Sequence, residues 1–227
     1  MQHTACETLG TMEDALRGNG IEFEYIETHL GKPVPMEMGN KAGLVVMGGP
    51  MGVYEYSSYP FLRKEMGLIE SALKLDLPVL GVCLGSQLLA AVLGAEVTKG
   101  ERKEVGWHAV TLSDSAAQGR LFAGVKAEFW PFHWHGDVFS LPMNAVLLAS
   151  SRQTPHQAFR FGKNAYGILF HLEVTEGQIS QMLLDFADEL REAGGSSADI
   201  SEQTHQHLPA LQQIATAVFG RWAAEVQ

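Results

Sequence analysis

The sequence predicts an α/β fold: an open, mostly parallel β-sheet flanked by helices, with an antiparallel β addition. Three observations carry that prediction. Short continuous apolar runs tied to glycines, GLVVMGG from Gly43 and PVLGVC from Pro78, have the pattern of strands buried on both faces. Stretches with helical spacing alternate with them. Beyond about residue 100 the runs become short, β-rich and separated by turn residues, which suits antiparallel strands.

Taken in order, TMEDALRGNG from Thr11 reads as a helix and IEFEYIE from Ile21 as the strand after it. GLVVMGG is a buried strand. FLRKEMGLIESALKLD from Phe61 places Leu62, Met66, Ile69 and Leu73 on one helical face. VLGVC is a second buried strand, and SQLLAAVLG a helix that Gly94 can close. GWHAVTL, AEFWPFHWHG, NAVLLASS, HQAFRFG and AYGILFHLE are the later β runs. VTEGQISQMLLDFADELREAG reads as a helix capped by Thr175. GGSSAD reads as a linker or loop, and a last helix runs from about Glu202 to Val226. With no repeat and no domain boundary, 1–227 reads as one domain, with a catalytic core over about 43–174 and C-terminal helices over about 175–227. A helix at Thr11 would ordinarily follow a strand, yet MQHTACETLG holds no apolar run to supply one. Either the fold starts without that strand or the natural start lies upstream of Met1.

Composition narrows the function. The chain of 227 residues is 46% hydrophobic and 19% charged, ordinary for a soluble globular protein. A net charge of −10 gives no electrostatic basis for binding nucleic acid or an anionic membrane. Lys99, Arg102 and Lys103 are interrupted by Glu101 and Glu104 and read as a solvated loop. No apolar run reaches a membrane-spanning length, and the N-terminus has no signal-peptide pattern. Two cysteines make no disulfide framework, so a reduced, cytoplasmic setting is expected.

One of those cysteines stands where chemistry is expected. Gly81-Val82-Cys83-Leu84-Gly85 has the G-x-nucleophile-x-G form of a strand-to-helix elbow. At such a turn the nucleophile adopts a strained backbone, and flanking glycines remove the Cβ atoms that would clash. The sulfur then sits at a helix N-terminus, where the dipole is expected to lower the thiol pKa. The Leu84 N–H points where an oxyanion would form. A cysteine nucleophile also needs a base and an orienting group. FHLE supplies both, because His171 and Glu173 point to one side at strand-end spacing.

GVCLGSQLLA followed by FHLE, together with MGGPMGVYE from Met47, KEVGWHAV from Lys103 and WHGDVF from Trp134, resembles the class I (triad) glutamine amidotransferases. Within them it is most similar to standalone members of the GMP-synthase-like branch, over roughly Gly43 to Val174. The resemblance implies a flavodoxin-like fold and cysteine-dependent hydrolysis of the glutamine side-chain amide through a γ-glutamyl thioester. It implies Cys83 as nucleophile, His171 as base and acid, and Glu173 as its orienter. It implies an oxyanion hole from the N–H groups of Gly49 and Leu84. Gln87, Pro50, His135 and Asp137 would line the pocket for the substrate, glutamine or a γ-glutamyl compound. Leu172 and Leu169 replace the family's frequent proline and glutamine, and neither change removes a catalytic group.

The destination of the ammonia stays open. The chain is either a glutaminase with a separate synthase or acceptor subunit, or a free-standing γ-glutamyl peptide or amine hydrolase or transferase. A non-catalytic ligand-binding protein of the same fold is the third reading, which the complete triad opposes. His108, His133 and His135 invite a zinc reading, but no H-E-x-x-H or paired C-x-x-C accompanies them. No metal and no cofactor is expected.

Overall fold

A computed structural model describes residues 1–226. In chain order the elements are α1 (Met12–Gly18), β1 (Leu44–Val46), α2 (Phe61–Lys74), β2 (Val79–Val82), α3 (Leu84–Val92), β3 (Val97–Trp107) and β4 (Val110–Leu112). They continue with α4 (Asp114–Gln118), β5 (Glu128–Phe129), β6 (Phe132–Phe139), β7 (Val146–Ser151), β8 (Ala158–Phe161) and β9 (Ala165–Ile168). The chain closes with α5 (Glu176–Asp185), α6 (Ala187–Glu192) and α7 (Ser197–Ala223).

The expected α/β architecture is present as one mixed sheet, in the order β1-β2-β9-β8-β7-β4-β5. Its parallel part is β1, β2 and β9, and β8, β7, β4 and β5 extend it antiparallel. β3 and β6 form a separate antiparallel ribbon. Because successive strand residues face opposite ways, each buried strand feeds two cores. Leu44, Val46, Val79 and Ala165 pack with the residues of α2 and α3, whereas Leu80, Val82, Tyr166 and Ile168 pack with α1, α5 and α7.

Four expectations are corrected. IEFEYIE does not form a strand: only Glu27 makes a bridge, and its partner is Gln2. The reason is the neighbour it has. Met1 lies on the outer edge of β1, its α-amino group 2.7 Å from the Val45 carbonyl and its own carbonyl taking the Met47 N–H at 3.1 Å. This two-residue stub is too short to carry a ladder. A groove of about 530 Å³ runs beside it, lined by Leu16, Phe23, Tyr25, Val45 and Trp222.

The charged stretch at Lys99–Glu104 is not a solvated loop but part of β3, with its register to β6 broken between Lys99 and Glu104. GGSSAD is not wholly a linker, because Ser196 caps α7 by accepting from the Asp199 N–H, and the helix starts at Ser197 rather than Glu202. The single helix expected after Thr175 is two, divided at Phe186, and the expected Thr175 cap is present as a capping box with Gln178.

Candidate active site

The elbow is formed. Cys83 follows β2 directly and caps α3 with φ 50° and ψ −110°, a conformation that L-residues avoid. Its glycines are required by space. A Cβ on Gly81 would lie 2.4 Å from the Gly85 carbonyl oxygen, and one on Gly85 would lie 1.9 Å from the Val46 carbonyl oxygen. The Cys83 N–H donates to Ile168 at 2.8 Å, tying the elbow to β9.

β9 runs on to the second part of the site. Main-chain hydrogen bonds between His171 and Phe132 hold this extension against β6. His171 Nδ1 lies 2.7 Å from Glu173 Oε1, with both side chains 1% exposed. The Glu173 carbonyl in turn accepts from the Thr11 N–H at 2.9 Å, so the N-terminal segment braces the pair. Nε2 of His171 makes no hydrogen bond among the described residues. At rest the Cys83 sulfur turns to the Trp134 carbonyl at 3.5 Å. Apo sites often tighten such contacts only when substrate is bound.

The electrostatics correct one expectation. Burial pushes the Cys83 thiol up, against the opposing pull of His171 and of the Leu84 N–H, so the helix N-terminus does not by itself yield a low thiol pKa. For His171, burial favours the neutral ring, but Glu173 and the neighbouring sulfur outweigh it and raise the pKa well above the usual histidine range.

Cys83 opens onto a cavity of about 360 Å³. Gly49, Pro50, Gln87, His135 and Asp137 all line it with Cys83, whereas Leu84, His171 and Glu173 are not among its lining. Gln87 donates from Nε2 to the Asp137 carbonyl at 3.2 Å. The ring of His135 is engaged behind the wall, with Nε2 3.2 Å from Glu104 Oε2 and 3.4 Å from His133 Nδ1.

Several residues escaped the sequence reading. His3 Nδ1 lies 2.8 Å from the Gly48 carbonyl oxygen, and its Nε2 lies 2.8 Å from Glu65 Oε2. A carbonyl only accepts, so Nδ1 carries a proton and donates it to Gly48. The Gly48 carbonyl and the Gly49 N–H belong to one peptide plane, and gripping the first fixes the direction of the second. Glu7 is buried at the cavity. Glu104, 3% exposed, accepts from Ser151, Thr154 and Gln157, each at 2.7 Å. The only sequence signal for these residues was their polar character beside short apolar stretches, which a solvated loop would share.

Glu104, His133 and His135 bring their possible ligand atoms within 4.8 Å of one another, whereas His108 only packs its ring against that of His133, with centroids 5.5 Å apart. His135 Nε2 links Glu104 to His133 Nδ1, while His133 Nε2 and His135 Nδ1 have no hydrogen-bond partner among the described residues. Burial alone would raise Glu104, but its hydrogen bond from His135 and the charge of His133 hold the carboxyl down at about 2. Its unfolded value lies near ~4.3. The stability it contributes is therefore present above that value and lost as the pH falls towards about 2. Glu104→Gln is expected to remove roughly 3 kcal/mol at neutral pH and to flatten the acid limb of stability. Denaturant unfolding at pH 7, 4 and 2.5 measures this, and an unchanged acid slope would contradict it.

Comparison with known proteins gives a consistent picture. The family described as glutamine amidotransferase class-I matches residues 11–190. The glutamine amidotransferase-like protein YfeJ of Salmonella typhimurium is 30% identical over 85% of this chain and 82% of its own length. A glutamine-hydrolysing GMP synthase of Leifsonia xyli is 36% identical over 78% of this chain, but the match spans only 34% of that protein. The crystal structure of a glutamine amidotransferase from Thermotoga maritima superposes with a TM-score of 0.89 at 34% identity, covering 98% of this chain and 95% of that one. No helix among the described residues is long and apolar enough to cross a membrane.

Proposed function

This chain belongs to the class-I glutamine amidotransferase family, and on that premise we propose that Cys83, His171 and Glu173 hydrolyse the side-chain amide of glutamine, or of a γ-glutamyl compound, through a γ-glutamyl thioester. The observation that carries this reading is the strained backbone of Cys83 at the head of α3 beside the buried His171–Glu173 pair beyond β9, with thiol and imidazole near enough to shift each other's pKa. The sulfur attacks the amide carbon and the C–N bond breaks. The thiol proton passes through His171 Nε2 to the departing nitrogen. The same Nε2 then activates water, which releases glutamate and restores the thiol. Glu173 holds the ring through Nδ1. The oxyanion is met by the N–H groups of Leu84 and Gly49. Gln87, Pro50, His135 and Asp137 form the wall for the glutamyl part. The whole of 1–227 acts as one catalytic unit, with the ammonia passing to water or to a separate synthase subunit.

A mass-spectrometric screen of glutamine with γ-glutamyl amides and peptides tests the reading. Equal background rates for wild type and Cys83→Ala would end it. Turnover by the purified chain alone would favour a free-standing hydrolase, and acceleration by an acceptor protein a subunit.

His3 and Glu65 act as positioning residues in this scheme. His3→Leu frees the Gly48–Gly49 peptide to rotate and is expected to lower kcat about 10²-fold with little change in KM, in the range for losing one oxyanion donor. His3→Asn keeps a donor for the Gly48 carbonyl and should recover part of the loss. A kcat for His3→Leu within about threefold of wild type would show that the peptide needs no such grip.

A further inference from the structure

Glu7 has no part in the chemistry above, yet it stands beside the nucleophile. It is 5% exposed and lines the catalytic cavity with Cys83, and its carboxyl group makes no hydrogen bond or ion pair among the described residues. A Cβ on Gly48 would lie 1.7 Å from Glu7 Oε2 and 3.3 Å from the Cys83 Cβ, so the carboxyl oxygen sits against Gly48 on the face that meets the nucleophile. The next residue of the turn is equally close to the elbow, since a Cβ on Gly49 would lie 3.1 Å from Leu84 Cδ2. Glu7 is thus seated at the junction of the Gly48–Gly49 turn and the elbow, whose Gly49 and Leu84 N–H groups are the proposed oxyanion donors.

Its surroundings say which form of the carboxyl belongs there. Three other buried carboxyls each face donor groups: Glu173 faces His171, Glu65 faces His3, and Glu104 accepts from Ser151, Thr154 and Gln157. An ionised carboxylate sheltered from water needs such partners, and Glu7 has none among the described residues. The titratable groups around it are Cys83, His171, His3, Glu173 and Glu189. His171 and His3 favour ionisation, but each already faces a carboxylate of its own, and burial outweighs them and raises the Glu7 pKa. Negative charge here would also oppose both the thiolate and the oxyanion, whereas the neutral acid has an O–H to give. A carboxylic acid kept neutral in a sheltered site is a strong donor to an oxygen that is gaining charge.

We infer that Glu7 works as a neutral carboxylic acid whose O–H donates to the substrate carbonyl oxygen as it becomes the oxyanion, a third donor beside the N–H groups of Gly49 and Leu84. The inference rests on the hydrolase reading above and deepens it. The proton stays on Glu7 throughout. Its hydrogen bond strengthens as the sulfur adds to the carbonyl carbon, and relaxes when the C–N bond breaks and the carbonyl re-forms. Proton delivery to the departing nitrogen stays with His171.

Two measurements on the full chain test this. The first is steady-state hydrolysis of glutamine and of γ-glutamyl-p-nitroanilide by wild type, Glu7→Met and Glu7→Gln. Glu7→Met keeps the length of the side chain but not its donor, and should lower kcat about 10²-fold with little change in KM, as loss of an oxyanion donor requires. Glu7→Gln keeps a donor and should return kcat to within about tenfold of wild type. The second is alkylation of Cys83 by iodoacetamide at pH 7, read by mass spectrometry against Cys6. Replacing a neutral acid should leave its rate in Glu7→Gln within about threefold of wild type, whereas removing a negative charge would free the thiolate and raise the rate about tenfold or more. That rise would overturn the inference, as would a kcat for Glu7→Met within about threefold of wild type, or a loss in Glu7→Gln equal to that in Glu7→Met. Where Glu7→Met melts well below wild type, Glu7→Leu replaces it. Wild type inert towards both substrates would end the hydrolase reading and the donor role together, while turnover untouched by Glu7→Met would end the donor role alone.

Discussion

Cys83→Ala is expected to lower glutamate release from glutamine by about 10⁴-fold or more, to a rate at or near that of uncatalysed hydrolysis. Nucleophile and base act as a unit, so removing the sulfur also leaves His171 with no proton to accept, and such losses run to roughly 10⁴–10⁶. The substitution should leave the fold intact, because alanine keeps the Cβ and the elbow is held by main-chain bonds to Ile168. The measurement is glutamate or ammonia release at saturating glutamine, paired with a melting curve. A variant that melts as wild type and still turns over within about tenfold would remove Cys83 from the chemistry.

Gly85→Ala is expected to damage the fold itself. Its Cβ would lie 1.9 Å from the Val46 carbonyl oxygen and 2.6 Å from the carbonyl carbon, both main-chain atoms of β1 that cannot rotate away. Relief requires α3 to lift off β1, which opens the apolar layer of Val46, Leu84, Leu88 and Leu89. Overpacking of this kind usually costs ~1–3 kcal/mol, and an immovable main-chain obstacle places this case at the upper end or beyond. For a chain of this size ~3 kcal/mol lowers Tm by about 6–12 °C. Because the elbow begins α3, activity should fall even below the melting range. A Tm within about 2 °C of wild type would show that β1 yields more easily than its position suggests.

These two predictions concern residues that the chain announces locally. The elbow needs five consecutive positions, and the strain, the two glycines and the helix that follows are all properties of that one stretch. The His171–Glu173 pair is equally local, since two positions apart at a strand end is enough to bring both side chains to one side. Strand and helix periodicities were legible for the same reason, with errors where a neighbour rather than the segment decides. IEFEYIE has strand character but only Gln2 to pair with. Lys99–Glu104 has loop composition but lies on a ribbon whose partner, β6, begins near residue 132.

The sequence by itself determined the α/β class and the family, and it singled out Cys83, His171 and Glu173 as the proposed nucleophile, base and orienter, because each is written in contiguous residues or a short fixed spacing. Only the tertiary structure decided that His3 is held between Gly48 and Glu65, that Glu104 is a buried acid held by three donors and His135, and that Glu7 lies beside Cys83 with no hydrogen bond or ion pair among the described residues. A glutamate or histidine looks the same in sequence whether it meets water or a buried partner. Its protonation, partners and cost follow from how many distant segments close over it, and that is a sum no local stretch contains. The same sum raised the Cys83 thiol, where the local helix dipole alone would have lowered it.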